Sequence, residues 1–174
     1  FFVEKVDKFI PAFKIGSGDI TYHQEIILAA KKNKPMLIAS GASNIDEVSL
    51  IIKKLSKINK NICLMQCNTN YTGEKNNLKH LNLKVLNLYK TKFKDIILGL
   101  SDHTKGDLSV IAAVSMGAKV IEKHFTDSNK RVGPDHPFSM NPRSWKIMVE
   151  KTRELETIFG DGLKKIEENE KETA

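Results

Sequence analysis

Two histidines stand at matching places in the chain. His103 ends an apolar run in Gly99-Leu100-Ser101-Asp102-His103-Thr104, and His124 ends the next in Val120-Ile121-Glu122-Lys123-His124-Phe125-Thr126. On adjacent parallel strands, about 4.8 Å apart, both imidazoles reach one point. Two neutral imidazoles, with water and substrate oxygens, make an open, exchangeable site for a borderline divalent ion such as Mn²⁺. Each could equally be a hydrogen-bonded polar residue at a strand end. His23, His80 and His136 fall in helix or loop contexts, and of these only His136, beside Asp135, lies near a candidate site.

A second group is Lys14-Ile15-Gly16-Ser17-Gly18. The glycines let backbone N–H groups approach an anion, Ser17 adds a hydroxyl, and Lys14 adds a compact positive charge. Ser40, beside Gly41, and Ser101 add hydroxyls from neighbouring runs. Together these describe a pocket for a phosphate or carboxylate, although GSG is also an ordinary turn and no GKS/T follows to make a P-loop. The loop Val132-Gly133-Pro134-Asp135-His136-Pro137 has its path fixed by two prolines and a glycine. Asp135 there either accepts hydrogen bonds from sugar hydroxyls or belongs to a rigid connector. Glu122 either orients a histidine or pairs with a neighbouring lysine. Trp145 and Phe138 read as packing residues.

These residues need elements to position them. Near-continuous apolar runs at residues 12–15, 36–39, 62–67, 96–100 and 118–121 read as strands buried on both faces of a parallel sheet. Between them, residues 22–32 place Ile26, Ile27, Ala29 and Ala30 together, and residues 45–55 place Val48, Ile51, Ile52 and Leu55 on one stripe. Ser43 or Asn44 caps the second of these helices, with Glu47 completing a capping box. Residues 78–88 and 108–116 are further predicted helices. Pro142 opens another over 143–159, which Gly160 stops. Strand starts at 13, 36, 62, 96 and 118 are separated by 23, 26, 34 and 22 residues, the spacing of repeated βα units. Five units fit an open doubly wound sheet or part of a (β/α)₈ barrel. Polar, reactive residues follow every strand (Lys14 and Ser17, Ser40, Thr69 and Tyr71, Ser101 to His103, Glu122 to Thr126). A barrel gathers such residues around one mouth, so the expected architecture is a partial TIM barrel. Residues 1–160 would form that domain and 161–174 a charged tail.

Composition narrows the classes. The 174 residues are 40% hydrophobic and 28% charged, which is globular. No apolar stretch approaches the roughly 18 residues a membrane span needs. The net charge of +7 comes mostly from scattered lysines, with arginine only at 131, 143 and 153. No basic arm with interleaved aromatics marks a nucleic-acid partner. Cys63 and Cys67 are too few for a disulfide framework and read as small buried hydrophobes, which suits a reducing cytoplasm. The chain starts at Phe1, so an earlier N-terminal part is expected.

In order, KIGSG, ASG, QCNTNY, GLSDHT, VIEKHFTDSNKRVGPDH and FSMNP resemble the sialic acid synthase family over residues 13–153. The resemblance implies a (β/α)₈ barrel of which this chain supplies strands four to eight. It also implies condensation of phosphoenolpyruvate with an N-acetylated aminosugar such as N-acetylmannosamine, giving a nine-carbon 2-keto sugar acid of the sialic, legionaminic or pseudaminic type. The family's metal histidines fall on His103 and His124. Its phosphoenolpyruvate contacts fall on Lys14, Ser17, Ser101 and Tyr71, with Ser40 and Thr69 as further substrate contacts, and its sugar-binding aspartate falls on Asp135. The family's STG is here Ala39-Ser40-Gly41, and its HCTS is Gln66-Cys67-Asn68-Thr69. An early glutamate and a second lysine would precede Phe1. An antifreeze-like domain that covers a partner subunit's sugar site would follow Ala174, implying a homodimer at full length. Two rival readings stand beside this one: a non-catalytic barrel fragment that binds phosphosugars, or another metal-dependent aldolase using Lys14 or Lys123 as a Schiff-base lysine.

Overall fold

Each of the five apolar runs is shorter than a typical helix and nearly continuous in apolar character, and each becomes a strand. The computed structural model describes residues 2–173. In it, β1 (Phe13–Ile15), β2 (Met36–Ala39), β3 (Ile62–Cys67), β4 (Ile97–Asp102) and β5 (Val120–Lys123) form one sheet in the order β1-β2-β3-β4-β5. Every neighbouring pair is parallel. An open doubly wound sheet reverses its strand order at a switch point; this sheet never does, and its five βα sectors make a half-barrel.

Register sorts the strand residues onto two faces. Met36 pairs Ile62, Leu64 pairs Leu98, and Leu100 pairs Ile121. These side chains pack on Ile26 and Ala30 of α2 (His23–Ala30), on Ile51 and Leu55 of α3 (Ile45–Leu55), and on Leu86 of α4 (Val85–Lys92). The alternate residues, among them Lys14, Cys63, Met65, Ser101 and Glu122, line the concave side. There is little room on it. A Cβ at Gly99 would lie 2.9 Å from both Cys63 Sγ and Met65 Cγ, and 2.8 Å from the Val120 carbonyl oxygen.

α3 forms as its sequence dictates, with its apolar stripe fully buried. Asn44, not Ser43, is its cap: the Asn44 side chain accepts from the Asp46 and Glu47 N–H groups, and the Glu47 carboxylate accepts from the Asn44 N–H. The Ser43 hydroxyl donates instead to the Gly41 carbonyl oxygen. α5 (Leu108–Ser115) and α6 (Pro142–Ile158) pack on each other, and α6 starts from an Asn141–Ser144 capping box with Pro142 in its first turn.

The predicted helix over 78–88 is not continuous. A 3₁₀ turn spans Lys75–His80, and α4 begins only at Val85. Asn82 turns left-handed at φ 47° between them, and the Gln66 side chain donates to the Leu81 carbonyl oxygen at 2.9 Å beside that turn. β5 begins two residues later than expected because Gly117, at φ 98°, and the Ala118 N–H, bonded to the Ala113 carbonyl oxygen, still belong to the end of α5. A short helix, α1 (Phe2–Val6), precedes β1. Residues 161–173 are exposed throughout. Among the described residues, no helix is long and apolar enough to cross a membrane.

Candidate functional site

At the C-terminal ends of β1, β4 and β5 the concave face opens into a cleft of 290 Å³, whose lining includes Lys14, Ser17, Tyr71, Ser101, His103, Glu122 and His124. A larger hollow of 400 Å³ lies between the ends of α3 and α4, but it holds no histidine and faces the opposite ends of the strands.

The two histidines converge as their spacing requires. Their ring centroids are 5.2 Å apart, and Tyr71 lies over His103 at 4.1 Å and edge-on to His124 at 5.7 Å. His103 is buried, and its Nδ1 lies 2.8 Å from the Asn68 carbonyl oxygen. A carbonyl only accepts, so Nδ1 carries the proton and the Nε2 lone pair is left for a ligand. Burial holds this imidazole below its ordinary range, with the Asn68 bond opposing that shift and the neighbouring His124 adding to it. His124 Nδ1 faces Asp135 Oδ2 at 3.5 Å, and Phe138 packs against its ring.

Asp135 is held by its own loop. The Ser139 N–H and hydroxyl both donate to the Asp135 carbonyl oxygen. Asn129 donates to the His136 and Ser139 carbonyl oxygens and accepts from Asn141. The loop closes through Met140, whose N–H donates to the His124 carbonyl oxygen.

On the other wall, the turn after β1 brings Ser17 beside Gly41, and the Gly18 N–H donates to the Gly41 carbonyl oxygen. A Cβ at Gly41 would meet Thr69 Oγ1 at 2.1 Å and Ser17 Cβ at 2.8 Å. Glycine is therefore what lets these loops close together. Thr69 Oγ1 is buried there without a hydrogen-bond partner among the described residues. Lys14 reaches across the cleft to Glu122, with Nζ–Oε2 at 3.0 Å, which is the lysine pairing left open for Glu122 in the sequence.

Of the sequence-predicted residues, Lys14, Ser17, Tyr71, Ser101, His103 and His124 share the cleft, and Asp135 adjoins it through His124. Thr69 lies behind Ser17, outside the lining. Ser40 is not brought in. Its hydroxyl donates to the Met65 carbonyl oxygen at 3.0 Å and accepts from Tyr89 at 2.9 Å. The concave position on β2 belongs to Ala39, in register with Met65, where no hydroxyl exists.

The structure also removes Lys123 as a Schiff-base lysine. Its ammonium lies on the helix side of the sheet with the side chain 1% exposed, 2.6 Å from Asp102 Oδ2 and 2.7 Å from the Thr104 carbonyl oxygen. Ser109 also donates to Asp102, and the Thr104 N–H completes the carboxylate's partners. Sequence reasoning missed this network. The signal was that Asp102 and Lys123 each immediately precede a histidine, so pleat alternation sends them to the face opposite the imidazoles.

Among the described residues, no group of three His, Cys, Asp or Glu is placed to hold a metal ion. The donor set that does exist, two imidazoles with Nδ1 facing oxygen acceptors, fits an open site with two protein ligands and the remaining positions left to water or substrate.

A family model described as "NeuB family" matches residues 2–164. The chain is 38% identical over 161 residues to N,N'-diacetyllegionaminic acid synthase of Campylobacter jejuni, covering 91% of this chain and 47% of that protein. It is 34% identical over 157 residues to human N-acetylneuraminate-9-phosphate synthase, covering 90% and 43%. The crystal structure of N-acetylneuraminic acid synthetase from Leptospira borgpetersenii, in complex with citrate, superposes with a TM-score of 0.85 at 26% identity, over 95% of this chain and 56% of that one. The chain thus spans about half the length of the proteins it matches.

Proposed function

Because the chain belongs to the NeuB family, we propose that it carries one wall of a synthase joining phosphoenolpyruvate to an N-acetylated aminosugar. The observation that carries this reading is the convergence of Lys14, Ser17, Ser101, His103 and His124 on one cleft. That cleft combines an anion-binding side with a pair of metal-ligating side chains. The names of two relatives, N,N'-diacetyllegionaminic acid synthase and N-acetylneuraminate-9-phosphate synthase, support a nine-carbon 2-keto sugar acid as the product class.

In the reaction, C3 of phosphoenolpyruvate bonds to the aldehyde carbon of the open-chain sugar, and the aldehyde oxygen takes a proton. Water adds at C2, where positive charge has developed, and phosphate leaves with its bridging oxygen as that C–O bond breaks. Lys14 holds the negative charge of phosphoenolpyruvate, and the hydroxyls of Ser17 and Ser101 donate to its oxygens and fix its orientation, so the entropic cost of alignment is met on binding. Tyr71 covers the imidazole pair and limits water at the reacting carbon. Asp135 accepts hydrogen bonds from sugar hydroxyls beside His124. His103 and His124 would hold a divalent ion, Mn²⁺ or else Mg²⁺ or Co²⁺, which when bound supplies Lewis-acid polarisation of an oxygen. Neutral His103, with its proton fixed on Nδ1 by Asn68, keeps Nε2 free for that role.

The open edges at β1 and β5 call for the rest of a barrel from residues outside this chain, and the 174 residues alone are expected to be inactive. The test is phosphate release from phosphoenolpyruvate with a panel of hexosamines, using the protein that carries this chain in a complete barrel. Release that requires both an N-acetylated aminosugar and the divalent ion is the expected result. Trapping of a keto acid on Lys14 by borohydride, with no phosphate release for any sugar, would establish the aldolase reading instead.

A further inference from the structure

Lys14 is the cation assigned above to the anionic substrate, yet its ammonium already has an anion. Glu122 Oε2 lies 3.0 Å from Nζ. The partners come from β1 and β5, the two outer strands of the sheet, so the pair crosses the cleft instead of running along one element. Glu122 stands opposite Ser101 in the β4–β5 register. Its carboxylate therefore enters the same space as the hydroxyl assigned to the ligand.

A carboxylate held by a lysine beside serine hydroxyls is chemically what a bound substrate carboxylate would be. We infer that Glu122 is a built-in competitor of the anionic substrate, occupying the Lys14 subsite until the ligand displaces it. This rests on the reading of Lys14 as the anion's cation. The exchange is feasible because the pair is only partly buried, with side chains 30% and 46% exposed, and pairs of that kind are weak. A phosphoenolpyruvate carrying both phosphate and carboxylate offers Lys14 more negative charge than Glu122 does. It also brings acceptor oxygens that Ser17 and Ser101 can reach. Glu122 thus sets the affinity for the anion without being one of its ligands.

Direct binding separates this from a general electrostatic effect. Calorimetric dissociation constants for phosphoenolpyruvate are compared in the wild-type protein with its complete barrel, in Glu122→Gln, in Lys14→Met and in the double variant, without sugar, and circular dichroism checks the fold of each. Competition predicts that Glu122→Gln tightens binding by about threefold to tenfold, the equivalent of a partly exposed ion pair plus one removed like charge. It predicts little of that gain in the Lys14→Met background, where there is no cation to compete for. Glu122→Ala should change affinity in the same direction. Unchanged or weaker binding in Glu122→Gln would overturn the inference, as would equal tightening in both backgrounds, which would mark Glu122 as a repelling charge only. If Lys14→Met itself left the dissociation constant unchanged, the anion pocket would be misread and this inference would fall with it.

Discussion

Two acid–amine pairs meet at β5, one with β4 and one with β1, similar in length and opposite in character. Lys123–Asp102, at 2.6 Å, is sealed on the helix side, with side chains 1% and 0% exposed. Lys14–Glu122, at 3.0 Å, lies in the cleft with both partners in reach of solvent. Glu122 and Lys123 are consecutive residues, so a single step along the pleat separates an exchangeable pair from a permanent one. The sealed pair has every carboxylate oxygen satisfied, by Lys123, Ser109 and Thr104. Losing one member strands a buried charge. The open pair has both side chains partly exposed and would give up its partner at little cost. Position relative to the sheet, more than residue type, decides which lysine is open to a ligand and which one braces.

The largest expected effect falls on the braced side. Lys123→Met should destabilise the protein by about 3–5 kcal/mol in denaturant unfolding, because Asp102 would remain charged and buried. Lys14→Met should cost no more than about 1 kcal/mol, the value of a partly exposed pair. Equal losses for the two would erase the distinction drawn between the faces.

The fit of the two loops over Gly41 comes next. Gly41→Ala must displace Thr69 or Ser17, since the new Cβ would lie 2.1 Å from Thr69 Oγ1, and overpacking of this kind costs about 1–3 kcal/mol. It should also weaken phosphoenolpyruvate binding through Ser17 while leaving metal affinity intact. Loss of metal affinity without a change in anion affinity would show that the two walls are not separately built.

The smallest effect is a pH dependence. Burial places His103 below the unfolded imidazole value of 6.5. The unfolded chain therefore binds more protons in the window between the depressed value and 6.5, and stability must fall as pH drops through that window. Unfolding free energies of wild type and His103→Gln, measured from pH 7.5 to 5, should show a shallower decline in the variant. Parallel curves would mean that His103 is not held neutral by its surroundings.

Much of the fold was legible because its information is local. Apolar runs, Asn44 with Glu47, and Pro142 with Gly160 each act within a few residues, and all four βα spacings correspond to observed strands. The convergence of His103 and His124 followed from their matching places after adjacent strands. What escaped reading depends on contacts distant in sequence. The helix over 78–88 is interrupted at the left-handed Asn82, where Gln66 of β3 bonds the Leu81 carbonyl oxygen. Ser40 was misplaced because whether position 39 or 40 faces the cleft depends on register with β3, which no local pattern states. The Asp102–Lys123 pair appears only when β4 and β5 are set side by side. The Lys14–Glu122 pair appears only when the sheet is curved.

The cleft face is proposed to hold a divalent ion on His103 and His124 beside an anion pocket anchored by Lys14. Mn²⁺ titration of the complete-barrel protein, followed by loss of the free-ion electron paramagnetic resonance signal, tests it most directly. One tight site is expected in wild type, with its affinity reduced at least about tenfold, as losing either of two protein ligands requires, in both His103→Ala and His124→Ala, and retained in Lys14→Met. Unchanged Mn²⁺ affinity in both histidine variants would contradict the account.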